Sequence, residues 1–376
     1  MRALNRRTVL GGVAAGTAAA LLPVAPAAAA TDPKSLVDET LRKALAKGIP
    51  GLAVGAFDGG RQYAAGAGTL SGAGSPAPDG RSVFQIGSIT KTFTALALAE
   101  ARRCHHLRLD DRLADRLDPR FPVPSLGSRQ ITLRHLATHA SGLPPIPPNL
   151  LTTPGFDPLD PYAHFTEQNL IDGLRETKLR YEPGSDYTYS NLAFGLLGRV
   201  LAQPFGGDYE ELVRTRITRP LGLTDTTSRL TPDQRARKAT GHAADGTAVP
   251  DWRLPEFAGA GALYGTVDDL LRYLRAMLGD APTYLRPSIR LVQRPHFEPP
   301  SQAPQRIGLG WHLAPLQATE HTMVWHNGGT GGFSSFAAIS PRTRTGVAVL
   351  AAQSRPDRAV DELGGTLLEA LDAGHR

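Results

Sequence analysis

The segment Gly87-Ser88-Ile89-Thr90-Lys91-Thr92-Phe93-Thr94-Ala95, followed by the apolar run Ala95-Leu96-Ala97-Leu98-Ala99, constrains this chain more than any other. A helix that is apolar on every side must lie inside the fold, so the core has to be built around it. Ser88 and Lys91 stand three apart and share one helical face. The N-terminus of such a helix presents free N–H groups and a positive dipole end. On capping preference alone, a serine there is usually a cap. Lys91 points to the other role, that of a nucleophile. Among 41 basic residues the only lysines are Lys34, Lys43, Lys47, Lys91, Lys178 and Lys238. Arginine stays protonated, whereas a desolvated lysine can become a neutral base. The chain has one Ser-x-x-Lys, and its lysine stands at the mouth of a buried helix.

Residues 1–30 read as an export signal rather than as part of the fold. Arg2, Arg6 and Arg7 precede an apolar, Ala- and Gly-rich stretch that ends in Ala28-Ala29-Ala30. This is the pattern of a secretory leader cleaved after Ala30, and the Arg6-Arg7 pair is of the twin-arginine kind. An extracytoplasmic, secreted product is therefore expected. Removing the three arginines takes the formal charge from +6 to +3. That is too little to favour nucleic acid or a membrane surface. No later segment approaches the ~18 apolar residues of a membrane span, and Cys104, the only cysteine, has no partner for a disulfide. A monomer acting on a small molecule or peptide is expected.

Strand-like segments gather at both ends of the chain. Gly51 to Phe57 and Arg61 to Gly68 flank the turn Asp58-Gly59-Gly60. Ile307 to Leu313, Met323 to His326, Ser334 to Ile339 and Gly346 to Ala352 follow late. Between them the texture is helical, with Thr132 to His139, Leu192 to Leu201 and a helix opened by Thr266 as cap, Asp269 standing at the reciprocal capping position. Residues 144–161 hold seven prolines and read as a long ordered loop. Amphipathic helices are expected from Ser35 to Lys47 and from Val360 to Ala373. The economical reading is one α/β unit over residues 31–376, built from both termini, with a helical insertion at about 105–285 and a site in the cleft between them.

Three stretches recur in order: Ser88-x-x-Lys91, Tyr189-Ser190-Asn191 and His326-Asn327-Gly328. Together with His135-Leu136-Ala137-Thr138-His139-Ala140-Ser141-Gly142-Leu143-Pro144 and His326-Asn327-Gly328-Gly329-Thr330-Gly331-Gly332-Phe333, they resemble the penicillin-recognising serine hydrolases. The similarity is to the branch of class C β-lactamases and D-alanyl-D-alanine carboxypeptidases. It implies a β-lactamase/transpeptidase-like fold, an antiparallel sheet flanked by helices with an inserted all-α region. It also implies an acyl-enzyme on Ser88, with Lys91 as base and Tyr189 as a phenolate or a proton donor. Asn191, His326, Asn327, Gly328 and Gly329 would bind substrate, the N–H groups of Ser88 and Gly329 forming the oxyanion hole. D-Ala-D-Ala peptides of peptidoglycan and β-lactams are the implied substrates, with an esterase, a D-amino-acid amidase and a non-catalytic cell-wall-peptide binder as alternatives. No cofactor and no metal is expected. His135 and His139 lack the glutamate of a zinc-protease motif and read as structural. Asn327 replaces the hydroxyl that usually helps hold a substrate carboxylate, which leaves His326 as the nearby cation when protonated. Carboxylate preference would then grow as pH falls from about 8 to 6.

Overall fold

In the computed structural model, which describes residues 32–302 and 305–375, one seven-stranded antiparallel sheet carries two layers of helices. The leader expected at residues 1–30 lies outside the described residues. The strands are β1 (Gly51–Asp58), β2 (Arg61–Gly68), β3 (Phe84–Gln85), β4 (Tyr264–Gly265), β5 (Arg306–Ile307), β6 (His312–Pro315), β7 (Thr322–Gly329), β8 (Ser334–Ser340) and β9 (Thr345–Ala351). The sheet runs β2-β1-β9-β8-β7-β6-β5, while β3 and β4 form a separate pair. Leu52 to Asp58 of β1 pairs with Thr345 to Ala351 of β9, so early and late parts of the chain zip together inside the sheet.

Strands β1, β8 and β9 are buried along their whole length. That is why they read as continuous small and apolar runs rather than as alternating ones, since both faces are covered. On one face lie α1 (Pro33–Ala46) and the closing helix Ala359–Ala373. There Val37, Leu41, Leu363, Leu367 and Leu371 pack on Val54, Phe336, Val347 and Val349. On the other face the helix Val267–Met277 comes close because β1 has Gly55. A methyl group there would stand 2.4 Å from Val267 Cγ1.

Beyond that helix lies the main helical body. It is organised around α2 (Thr90–Arg103), whose residues Thr90 to Glu100 are all buried. Two short helices complete its far side, α3 (Leu133–Ala137) and α4 (Glu167–Glu176), together with α5 (Asn191–Ala202). The proline-rich loop is a series of turns, of which Leu150–Thr152 is a single turn of 3₁₀ helix. It is pinned to α5 where the Asn191 and Leu192 N–H groups donate to Pro145 O and Ser190 Oγ donates to Pro144 O.

Two local expectations are corrected. The strand expected from Ile307 to Leu313 is broken into β5 and β6 by Gly308-Leu309-Gly310. Gly310 has φ +65°, donates to Ala137 O, and packs so closely on α2 that a Cβ would lie 2.7 Å from Lys91 O. Tertiary contact with α2 outweighs strand propensity there. Thr266 does cap its helix by accepting from Asp269 N, but Asp269 does not reciprocate. Its carboxylate instead accepts from Asp225 N and Thr226 Oγ1.

Candidate active site

Ser88 lies in a tight turn, Gly87–Ile89, that enters α2 where the sheet meets the helical body. Two glycines make this approach possible. Gly87 has φ +49°, and a Cβ on it would sit 2.7 Å from Gly329 N. A Cβ on Gly328 would sit 2.2 Å from Ile86 O and 3.0 Å from Ser88 N. Bare backbone on both sides brings the N–H groups of Ser88 and Gly329 into one neighbourhood. Ser335 Oγ, donating to Ile86 O at 2.9 Å, ties the turn to β8 as well.

Lys91 is completely buried. Its Nζ lies 2.8 Å from Ser88 Oγ, 2.9 Å from Asn191 Oδ1 and 2.7 Å from Ala260 O. Burial holds its pKa well below the ordinary lysine value, because no carboxylate is bonded to it. A neutral amine has two N–H groups and one lone pair. With both N–H groups donated to the carbonyl oxygens of Asn191 and Ala260, the lone pair is left for the Ser88 hydroxyl. Asn191 is itself oriented, since its Nδ2 donates to Tyr162 Oη at 3.2 Å.

Tyr189 stands near Ser88 as well, and burial, outweighing the opposing effect of Ser88, raises the pKa of its phenol. Its ring lies under Lys91 Nζ, 4.9 Å from the centroid. The phenolate considered from sequence is therefore disfavoured, and the group enters the site as a protonated donor. Ser190 caps α5 by accepting from Ala193 N, which places Asn191 on the first turn beside Lys91.

His326 and Asn327 are neighbours on β7 and so point to opposite faces. His326 is buried on the Ser88 side, with rings of Tyr189 at 6.2 Å and His312 at 5.0 Å. Its Nδ1 is 2.5 Å from Asn327 O. A carbonyl only accepts, so the proton sits on Nδ1 and Nε2 is left unprotonated. Burial, then His312 and Lys91, hold its pKa well below the usual histidine range. The Asn327 side chain turns away and donates to Asp361 Oδ2 at 2.9 Å, on the face covered by the closing helix. Asp361 also accepts from Arg358 Nε. Of the expected substrate-binding side chains, the structure gathers Asn191 and His326 around Ser88 and leaves Asn327 behind the strand.

Four groups at the site had no motif to announce them. Tyr162, on the proline-rich loop, orients Asn191. The Ala260 carbonyl accepts a hydrogen bond from Lys91 Nζ. His312, buried with a pKa lowered to about 4 mainly by desolvation, lies against His326. His139, read from sequence as structural, packs on the Tyr189 ring at 4.3 Å, whereas His135 does serve a cap, accepting from Thr132 N. Among the described residues, no three His, Cys, Asp or Glu side chains are grouped to hold a metal ion.

A serine at a buried helix mouth, a desolvated lysine bonded to it and a phenol on its other side define a serine hydrolase built on an antiparallel sheet. The comparisons with known proteins agree and name the family. The β-lactamase family profile matches residues 37–371, and this chain belongs to that family. D-alanyl-D-alanine-carboxypeptidase/endopeptidase AmpH of Escherichia coli (strain K12) is 31% identical over 354 residues, covering 90% of this chain and 89% of that protein. The β-lactamase of the same organism is 25% identical, covering 86% and 89%. A solved β-lactamase/D-alanine carboxypeptidase from Yersinia pestis, complexed with citrate, superposes with TM-score 0.78 at 25% identity, over 91% of this chain and 98% of that one.

Proposed function

We propose that this protein is an exported hydrolase that forms an acyl-enzyme on Ser88, with D-alanyl-D-alanine peptides and β-lactams as leading substrates. The observation that carries it is the Lys91 arrangement, a fully buried amine whose Nζ lies 2.8 Å from Ser88 Oγ, 2.9 Å from Asn191 Oδ1 and 2.7 Å from Ala260 O, with no carboxylate bonded to it. Ser88 Oγ attacks the carbonyl as its proton passes to Lys91 Nζ, and the oxyanion is held by the N–H groups of Ser88 and Gly329. The protonated Lys91 and the Tyr189 phenol then relay a proton to the leaving nitrogen or oxygen as that bond breaks. Water attacks the acyl-enzyme in the second half, giving its proton back through the same groups. Similarity to a relative named as a carboxypeptidase/endopeptidase supports the peptide substrate. The leader-like residues 1–30 support export, and no helix among the described residues is long and apolar enough to cross a membrane.

A second reading, an esterase or D-amino-acid amidase on the same residues, is favoured by the strand motif. Neutral His326 adds no cation, and Asn327 is committed to Asp361. Intact-mass measurement after exposure to benzylpenicillin, followed over time, tests the proposal. A single adduct that is absent in Ser88→Ala is expected. Hydrolysis of short p-nitrophenyl esters with no penicillin adduct at any time would leave the esterase reading in its place.

A further inference from the structure

His139 sits just past the end of α3, wholly buried, in the left-handed backbone region at φ +58°. A non-glycine residue there is uncommon, although asparagine, aspartate and histidine adopt it more often than the rest, and such residues cluster at active sites. The His139 N–H donates to Leu136 O in α3, and its carbonyl and ring nitrogen go to the segment that carries Tyr189 and to the loop just before it. Its carbonyl accepts from Thr188 N at 3.0 Å and from Tyr181 Oη at 3.2 Å. Its Nδ1 accepts from Ser190 N at 3.0 Å. Residues 188 and 190 are thus both bonded to His139, and the ring of residue 189 between them lies on the imidazole, 4.3 Å between centroids at 32°. Phe194 of α5 backs the same imidazole at 5.0 Å.

The imidazole is held neutral. Burial, followed by Lys91, His312 and His326, keeps its pKa well below the usual range. Since Nδ1 accepts, the ring proton is on Nε2, which is buried without a hydrogen-bond partner. An unpaired buried N–H and a left-handed backbone are both unfavourable, and a residue serving only to close the loop would need neither.

We propose that His139 is a positioning residue for Tyr189. Its carbonyl and Nδ1 clamp the backbone on either side, its ring sets the plane of the phenol, and its lack of charge leaves Lys91 without a fixed cation across the phenol when it takes up the Ser88 proton. It touches neither Ser88 nor substrate and acts only through Tyr189. The inference rests on the reading that Tyr189 moves a proton at Ser88. Displacement of a catalytic group by about 1 Å costs on the order of 100-fold in rate, so the clamp is expected to be visible in acylation.

The test is a double-mutant cycle between His139→Asn and Tyr189→Phe. Asparagine tolerates the left-handed backbone and offers Oδ1 to Ser190 N, but it removes the ring. The rate constant for Ser88 acylation is followed by intact mass with benzylpenicillin, or by the p-nitrophenolate burst if penicillin is not accepted. Burst or adduct amplitude and thermal melting report the folded fraction. His139→Asn is expected to slow acylation at least ~10-fold in the wild-type background at unchanged amplitude, and less than ~2-fold in Tyr189→Phe. Equal slowing in both backgrounds, or no slowing in either, overturns the proposal. If Tyr189→Phe alone acylates at the wild-type rate, the role given to Tyr189 fails first, which separates the two claims. Should His139→Asn not fold, His139→Phe, which keeps a ring and loses the acceptor, is taken through the same cycle with the same outcomes.

Discussion

Lys91, the proposed base, is set apart by its loss of solvent. Three oxygen atoms surround Nζ and none is a carboxylate, so desolvation depresses the pKa without a counter-charge to restore it. Arginine would keep the positive charge but could offer no lone pair. Lys91→Arg is therefore expected to lower kcat/KM by at least ~100-fold, about 2.7 kcal/mol of barrier, close to the loss in Lys91→Ala. Retention of most activity in Lys91→Arg would move the base elsewhere. His326 behaves in the opposite way from the sequence expectation. Its buried, Nδ1-protonated ring stays neutral through the range in which a free histidine titrates. The ratio of kcat/KM for a free-acid peptide to that for its methyl ester is thus expected to stay flat between pH 8 and 6. A ratio rising several-fold on acidification would show that His326 takes up a proton there.

The elements that form the site meet edge to edge, and glycine decides how closely. The turn before α2 and the end of β7 touch through Gly87 and Gly328, with no side chain between them. Gly328→Ala would drive a methyl group into Ile86 O and Ser335 Oγ. Overpacking of this kind costs about 1–3 kcal/mol. Here the strain falls on the two backbone N–H groups near Ser88, so acylation is expected to drop at least ~10-fold while circular dichroism is unchanged. An active Gly328→Ala would show that the two N–H groups need not stand so close. At this scale the sequence was legible where one element determined its own form. Thr266 caps its helix and the β1–β2 hairpin turns at Asp58-Gly59-Gly60. It was not legible where a neighbour intervened, as in the break at Gly308–Gly310, forced by the packing of α2, or Asp269, diverted to Asp225 and Thr226.

The whole molecule carries three neutral histidines in or beside its site. His139, His312 and His326 are all buried with lowered pKa values. In the unfolded chain each titrates near 6.5, so below that pH the unfolded state binds more protons than the folded one. Stability then rises with pH across this window and is lost on acidification, each of the three adding up to ~1.4 kcal/mol per pH unit. For His312 the loss continues down to about pH 4. Urea unfolding between pH 7 and 5 is expected to show a midpoint that falls steadily over this range, before most carboxylates protonate. Stability that does not change from pH 7 to 5 would mean that these imidazoles are solvated. The same architecture explains why both ends of the chain matter. β1 and β9 pair inside the sheet, so β7, which carries Gly328 and Gly329, rests through β8 on a joint between early and late strands.

What the sequence determined by itself was the buried helix, the scarce lysine one turn from a serine, the order of three short motifs and the placement of strands at both ends. All of these depend on local chemistry: apolar periodicity, capping, and the protonation that only lysine allows. What the tertiary structure decided was the state and direction of the groups. Lys91 and His326 both have pKa values held well below their ordinary ranges, and burial supplied by distant segments is the main cause. Asn327 faces Asp361 because the pleat alternates and the closing helix covers that face. Tyr162 and His139 join the site because a proline-rich loop and the end of α3 fold back onto α5. A pKa and a side chain's facing partner depend on what lies within a few ångströms in space, and no spacing along the chain encodes that.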